Sequence, residues 1–183
     1  GALENDDYSG QTALFDVSYP LTGGGRIGLL GHWTESDTEV PFSGGAATPR
    51  QSTAAQETLV ALPLRLAFSG GAGLEVTLDH VQRSLAYRNP DDQWGFFASD
   101  TQADSAGARA LLRFPWGVQR LTAGGEWRRD AVTDASSYGV TLDAARVTTQ
   151  SLFVQDAVRL GAAFDVLLGA RWDEATPWGD ELS

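Results

Sequence analysis

The chain contains no cysteine. That excludes a disulfide framework and any thiolate chemistry, catalytic or metal-binding. Methionine is also absent, and the chain opens Gly1-Ala2-Leu3 with no signal peptide, so the sequence predicts an internal piece whose natural start lies upstream. A processed mature protein is the plainer alternative. No apolar stretch approaches the roughly 20 residues of a transmembrane helix. Basic residues are scarce, 13 Lys and Arg against 24 Asp and Glu for a net charge of −11, which removes the clustered cations a nucleic-acid partner requires. Neither G-x-S-x-G nor H-E-x-x-H occurs, and no carboxylate pair is specified at glycosidase geometry, so the chain is not read as an enzyme.

What is present is period-two alternation. Apolar residues make up 42% of the 183 positions and charged residues 20%, enough apolar content to oppose wholesale disorder. In the segment 164–173, Phe164, Val166, Leu168, Ala170 and Trp172 fall on one face, opposite Asp165, Leu167, Gly169, Arg171 and Asp173. The same two-file pattern recurs at 13–19, 26–34, 60–68, 105–114 and 121–128, and it begins again at Leu74. A further strand is expected over 149–159, where Phe153 and Val154 compete for the apolar face. Pro63 removes one ladder donor from its strand, and a bulge there is the expected remedy.

Eight strands result, joined alternately by short and long connections. Short Gly- or Pro-bearing turns are expected at 20–25, 69–73, 115–117 and 160–163, and long polar loops at 35–56, 86–104, 129–146 and from 174 onward. No helical period competes. Long structureless loops are unusual in a compact soluble domain, whereas an outer-membrane barrel has long loops on one side and tight turns on the other. Phe164 and Trp172 are separated by eight strand steps, about 26 Å at roughly 3.3 Å each. That length is comparable with a transmembrane barrel's apolar band, about 25 Å tall with aromatic girdles at both rims. The expected girdle is Tyr19, Phe68, Phe114, Trp116 and Phe164 at the short-turn rim, with Trp33, Trp127 and Trp172 at the long-loop rim. On the opposite parity, Arg65, Arg109, Arg113, Glu126, Arg128, Arg171 and Asp173 are expected to face a lumen. The fold class is therefore all-β, an antiparallel up-and-down transmembrane β-barrel segment of about eight strands. A soluble antiparallel sandwich or barrel would share the alternation, with the apolar file as its dry core.

Local motifs carry less. Gly23-Gly24-Gly25-Arg26-Ile27-Gly28 satisfies G-x-G-x-x-G, but a strand follows where a dinucleotide site needs a helix, so the glycines are read as tight-turn residues. His32 and His80 lie far apart with no third ligand implied, and no resident metal or other cofactor is assigned. Glu35, Asp37 and Glu39, and separately Asp91 and Asp92, form acidic clusters in expected loops; loop-bound Ca²⁺ is the alternative to simple solvation.

The stretch 121–130, Leu-Thr-Ala-Gly-Gly-Glu-Trp-Arg-Arg-Asp, resembles a barrel strand of TonB-dependent outer-membrane receptors. So does 151–160, Ser-Leu-Phe-Val-Gln-Asp-Ala-Val-Arg-Leu, followed by Leu-Leu-Gly-Ala-Arg-Trp-Asp at 167–173. The family commonly pairs a strand with an aromatic-x-Gln-Asp core and a strand ending Gly-x-Arg-aromatic-Asp. The likeness is good from about residue 106 to the end and architectural before it, and its motifs are moderately specific habits of strand composition. It implies a 22-stranded parent in a Gram-negative outer membrane, of which residues 1–183 form part of the barrel domain. It further implies a plug that contacts the TonB complex, and import of a scarce small molecule such as a ferric siderophore or cobalamin. The plug has no counterpart here, and the sequence stops at Glu181-Leu182-Ser183 before a further strand, so no ligand-contacting residue transfers. The other readings are a complete eight-stranded porin-like or structural barrel and a soluble lipocalin-like binding protein, the latter distinguished by solubility without detergent.

Overall fold

A computed structural model describes residues 6–43, 46–92, 94–95, 97–161 and 163–176. Eight long strands run antiparallel in one up-and-down sheet: β1 (Tyr8–Leu21), β2 (Gly25–Glu39), β5 (Ser52–Ala67), β6 (Gly73–Arg88), β7 (Ala98–Trp116), β8 (Gln119–Ser136), β9 (Gly139–Leu160) and β10 (Phe164–Thr176). A two-residue hairpin, β3 (Phe42–Ser43) with β4 (Ala46–Ala47), sits in the β2–β5 connection. The sheet order β1-β2-β5-β6-β7-β8-β9-β10 follows the chain. A 3₁₀ turn at Ser69–Gly71 is the helical element among the described residues. The sheet is open, since β1 and β10 each pair on one side.

Strand pairing puts directly opposed residues on the same face, so the registers test whether the separate alternations agree. They do. Tyr19 pairs Ile27, Ile27 pairs Leu64, Leu64 pairs Val76, Val76 pairs Ala110, Ala110 pairs Gly125, Gly125 pairs Leu152, and Leu152 pairs Trp172. One ladder thus threads the apolar file of all eight strands. The 149–159 ambiguity resolves at the same time. Val154 joins the apolar face between Ala123 and Ala170, and Phe153 takes the polar face between Gly124 and Arg171.

That ladder begins at Tyr19, beside the turn at 22–24, and ends at Trp172, eight positions beyond the Phe164 that adjoins the turn at 161–163. Tyr19 lies two residues before the strand end at Leu21, so bringing the short turns to one level requires a stagger of six residues across seven strand intervals. At roughly 3.3 Å per residue and 4.8 Å per interval, that inclines the strands by about 30°. The same inclination shortens the axial rise from Phe164 to Trp172 from about 26 Å to about 23 Å between Cα atoms.

A core is nearly absent. Among the described residues, the one buried apolar side chain is Val81, at 9% exposure. Among the described residues, element contacts run between sheet neighbours apart from the 3₁₀ turn against β7, so no second layer covers either face.

Several expectations need correction. The long loops are mostly strand: β2 continues to Glu39, β6 to Arg88 and β8 to Ser136, and a two-residue turn at 137–138 replaces the expected 129–146 loop. Polar side chains on both faces had hidden these extensions, because alternation is visible only where one face is apolar. Beyond Thr176 the expected final loop lies outside the described residues. Pro63 produces no bulge. The β2–β5 ladder skips the positions opposite Leu62 and Pro63 and resumes in the same register at Leu30–Ala61. Gly28 makes this feasible, since a Cβ there would lie 3.0 Å from the Pro63 ring. The glycine-rich motif is a turn as expected, with Gly23 and Gly24 at φ of +88° and +86°.

Gly124 shows how closely the polar face is packed over the chain. A Cβ there would lie 2.4 Å from the Phe153 ring and 2.7 Å from the Ala110 carbonyl oxygen, which cannot swing aside. Gly124→Val is expected to destabilise the sheet by about 1–3 kcal/mol, read as a lower urea-unfolding midpoint in detergent micelles; an unchanged midpoint would contradict this packing.

Candidate functional site

The polar face carries the groups able to interact with a solute. It takes its form from the register, which sets acidic and basic side chains of adjacent strands opposite one another. Arg65 pairs Glu75 across β5–β6, and Glu75 is shared with Arg113 of β7 at 2.7 Å while Arg65 lies at 3.9 Å. Farther along, Glu126 of β8 forms an ion pair with Arg109 at 3.1 Å and accepts from Arg171 at 3.3 Å. Arg171 also donates to Asp173 at 2.8 Å and to the Ser151 hydroxyl at 3.0 Å, and Ser151 donates to Asp173 at 2.6 Å. Ser151 is 3% exposed, so this chain has a desolvated centre on an otherwise open face. The Arg171 guanidinium lies 5.9 Å from the centroid of the Phe153 ring, within cation–π range. Arg128 pairs with Asp130 at 3.0 Å.

Arg65, Arg109, Arg113, Glu126, Arg128, Arg171 and Asp173 all lie on this one face, and Arg109, Glu126, Arg171 and Asp173 are joined in a single network. Tyr19, Trp33, Phe114, Trp116, Trp127, Phe164 and Trp172 lie on the opposite face, and Phe68 follows the end of β5 in the same parity.

A second cluster escaped the sequence reading. Toward the long-loop end, a cavity of about 420 Å³ on the polar face is lined by Thr34, Ser36, Glu57, Arg83, Leu85 and Thr101 among others. Glu57 holds Arg83 at 2.5 Å and faces His32 at 3.9 Å. Both pairings are set by register, so neither is visible in local sequence. The cavity presents hydroxyl, carboxylate and guanidinium groups beside a mostly apolar wall that includes Ala55, Leu85 and Ala103.

The connections above it are tied to one another. Asp91 accepts from the Arg50 backbone N–H at 3.0 Å, from its Nε at 2.8 Å and from its Nη2. The Arg50 hydrogen bonds hold the Asp91 carboxyl below the usual carboxylate range. Tyr138 donates to the Trp94 carbonyl at 2.9 Å, and Ser137 to the Gly95 carbonyl at 2.8 Å. Trp94 is nonetheless 81% exposed, a large aromatic presented on a pinned loop.

Glu35, Asp37 and Glu39 are on β2, where alternate residues lie about 6.6 Å apart. Asp91 is engaged by Arg50. Among the described residues no group of three His, Cys, Asp or Glu side chains could hold a metal ion. His32 is on the polar face, whereas His80 is on the apolar-side file facing Asp104 at 4.0 Å. No family model, no curated protein and no solved structure matches the chain.

Asp134, seven residues beyond Trp127, accepts from Thr101 at 2.6 Å, from Thr141 and from Ser99 at 3.3 Å. These hydroxyls, Thr101 foremost, lower its pKa. A depressed carboxylate contributes stability that is present above its unfolded pKa of about 3.9 and is lost as pH falls through the folded value. Its carboxyl NMR shift is therefore expected to titrate below the ordinary aspartate midpoint, and Thr101→Val with Thr141→Val to move the midpoint up; coincident curves would remove the hydroxyl cause.

Proposed function

We propose that this sheet is a section of a β-barrel wall in a bacterial outer membrane, and that the whole is a TonB-dependent receptor importing a scarce small molecule. The observation that carries the reading is the apolar file that runs across all eight strands, interrupted by Asp156 between Leu121 and Leu168, with no core beneath it. In water that face would forgo about 1.5–3 kcal/mol for each large side chain left unburied, whereas acyl chains cover it without further protein.

The open edges favour a larger wall over a small closed barrel. In hydrocarbon every backbone N–H and C=O needs a partner within the protein. The outer edges of β1 and β10 lack one in this sheet, and the two strands do not pair with each other. Further strands would complete both ladders. The strand pair 151–160 and 167–173, whose residues resemble the receptor family, forms the β9–β10 hairpin.

Transport in this reading divides between the faces. The apolar face holds the wall in lipid. The ion-paired polar face lines a wet or plug-filled interior, where Arg109, Glu126, Arg171 and Asp173 can exchange partners with a plug or solute. The plug supplies the contact with the TonB complex. The strand extensions past Trp33, Trp127 and Trp172 project to the exterior side, where the Glu57–Arg83 cavity and the pinned loops meet the ligand first.

Single cysteines test the wall. A water-soluble maleimide is expected to label Arg65, Arg109, Arg128 and Phe153 positions, and only a lipid-phase reagent the Leu112, Val154, Val166 and Leu168 positions; the reverse pattern would overturn the assignment. In the parent protein, ligand uptake is expected to stop in cells without TonB while surface binding persists. Uptake unaffected by TonB would leave a passive porin-like wall instead.

A further inference from the structure

The apolar face has a shaped site that general contact with lipid does not require. A groove of about 420 Å³ lies between Trp127 of β8 and Trp172 of β10, with Val76 and Leu152 also lining it. Its floor is Ala108, Ala110 and Gly125, three small residues on adjoining strands. The bulkier Trp127, Leu152 and Trp172 rise beside this floor.

Two arginines stand at the long-loop end of this groove. Arg129 is two residues beyond Trp127 on the same face, and Arg146 is its diagonal neighbour on β9, because Arg129 pairs Thr148 and Ala131 pairs Arg146. Such diagonal positions are about 7–8 Å apart, within reach of one phosphate for long side chains. Both are exposed. Among the described residues neither makes a side-chain hydrogen bond or an ion pair, whereas Arg83, Arg88 and Arg128 in the same half of the sheet are each paired with a carboxylate. Asp104 and Glu174 share the face on the flanking strands. Asp104 faces His80, and neither carboxylate engages the arginines.

Resting on the outer-membrane reading above, we propose that this groove binds one phosphate-bearing membrane lipid of the exterior leaflet, with an acyl chain between the two tryptophans and the phosphate on Arg129 and Arg146. Guanidinium groups suit this role because they meet phosphate oxygens bidentately. Interfacial tryptophans fix the depth at which chain gives way to headgroup.

Quenching by brominated acyl chains reads the groove directly. In the whole parent barrel, Trp33, Trp94, Trp116, Trp178 and any tryptophan outside this section are replaced by Phe, leaving Trp127 and Trp172, and the protein is reconstituted in vesicles containing brominated phosphatidic acid or brominated phosphatidylcholine with identical chains. Phosphatidic acid is expected to quench at about thirtyfold lower mole fraction, from two arginines near the surface. Arg129→Gln with Arg146→Gln is expected to erase that preference while quenching by both lipids persists. Ala110→Leu, which fills the floor and leaves the arginines, is expected to abolish the preference as well. Equal quenching by the two lipids in the otherwise unaltered protein, or a preference that survives the double arginine variant, would overturn the lipid site and leave the wall reading standing. Absence of quenching by either lipid, with protein recovered free of vesicles, would overturn the wall reading itself.

Discussion

A side chain on a β-strand can face only one of two ways, and in this molecule seven successive ladders hold that choice in phase. Everything else depends on that agreement. A slip of one residue at any interface would turn an entire strand over, placing Arg109 or Arg171 among the leucines and Val154 among the ion pairs. The two-sided character belongs to the registers jointly, and no single strand establishes it.

The same agreement leaves the molecule without the usual source of stability. A sheet whose apolar face has no second layer gains little from burial, and the exposed ion pairs opposite contribute from a few tenths to about 1 kcal/mol each. Backbone pairing and the surrounding medium must do the rest. Close local fits assist: the Phe153 ring lies over Gly124, and Pro63 is accommodated by Gly28. These small residues match the bulk on the neighbouring strand, which is why the register survives a proline in mid-strand.

Legibility followed the chemistry of the faces. Where one face is apolar and the other charged, as at 164–173 or 121–128, alternation identified strand, parity and opposing residues correctly. Where both faces are polar, as in the distal parts of β8 and β9, the signal vanishes and strand is indistinguishable from loop. The polar-face residues could be assigned to a side, but not to partners. That Glu126 bridges Arg109 and Arg171, or that Glu57 meets Arg83 and His32, depends on residues brought together from different strands. Phe153 and Val154 were equally apolar candidates, and only the partners on β8 and β10 separated them.

The sequence by itself determined that this is an antiparallel β-protein of eight strands with one apolar and one charged face, because side-chain alternation is a local property with a period of two. The tertiary structure decided the stagger, the open edges, the ion-pair network and the groove beneath Arg129 and Arg146. Those follow from which residue stands opposite which across strands, and that register is set by pairing energies summed over the whole sheet rather than by any stretch of chain.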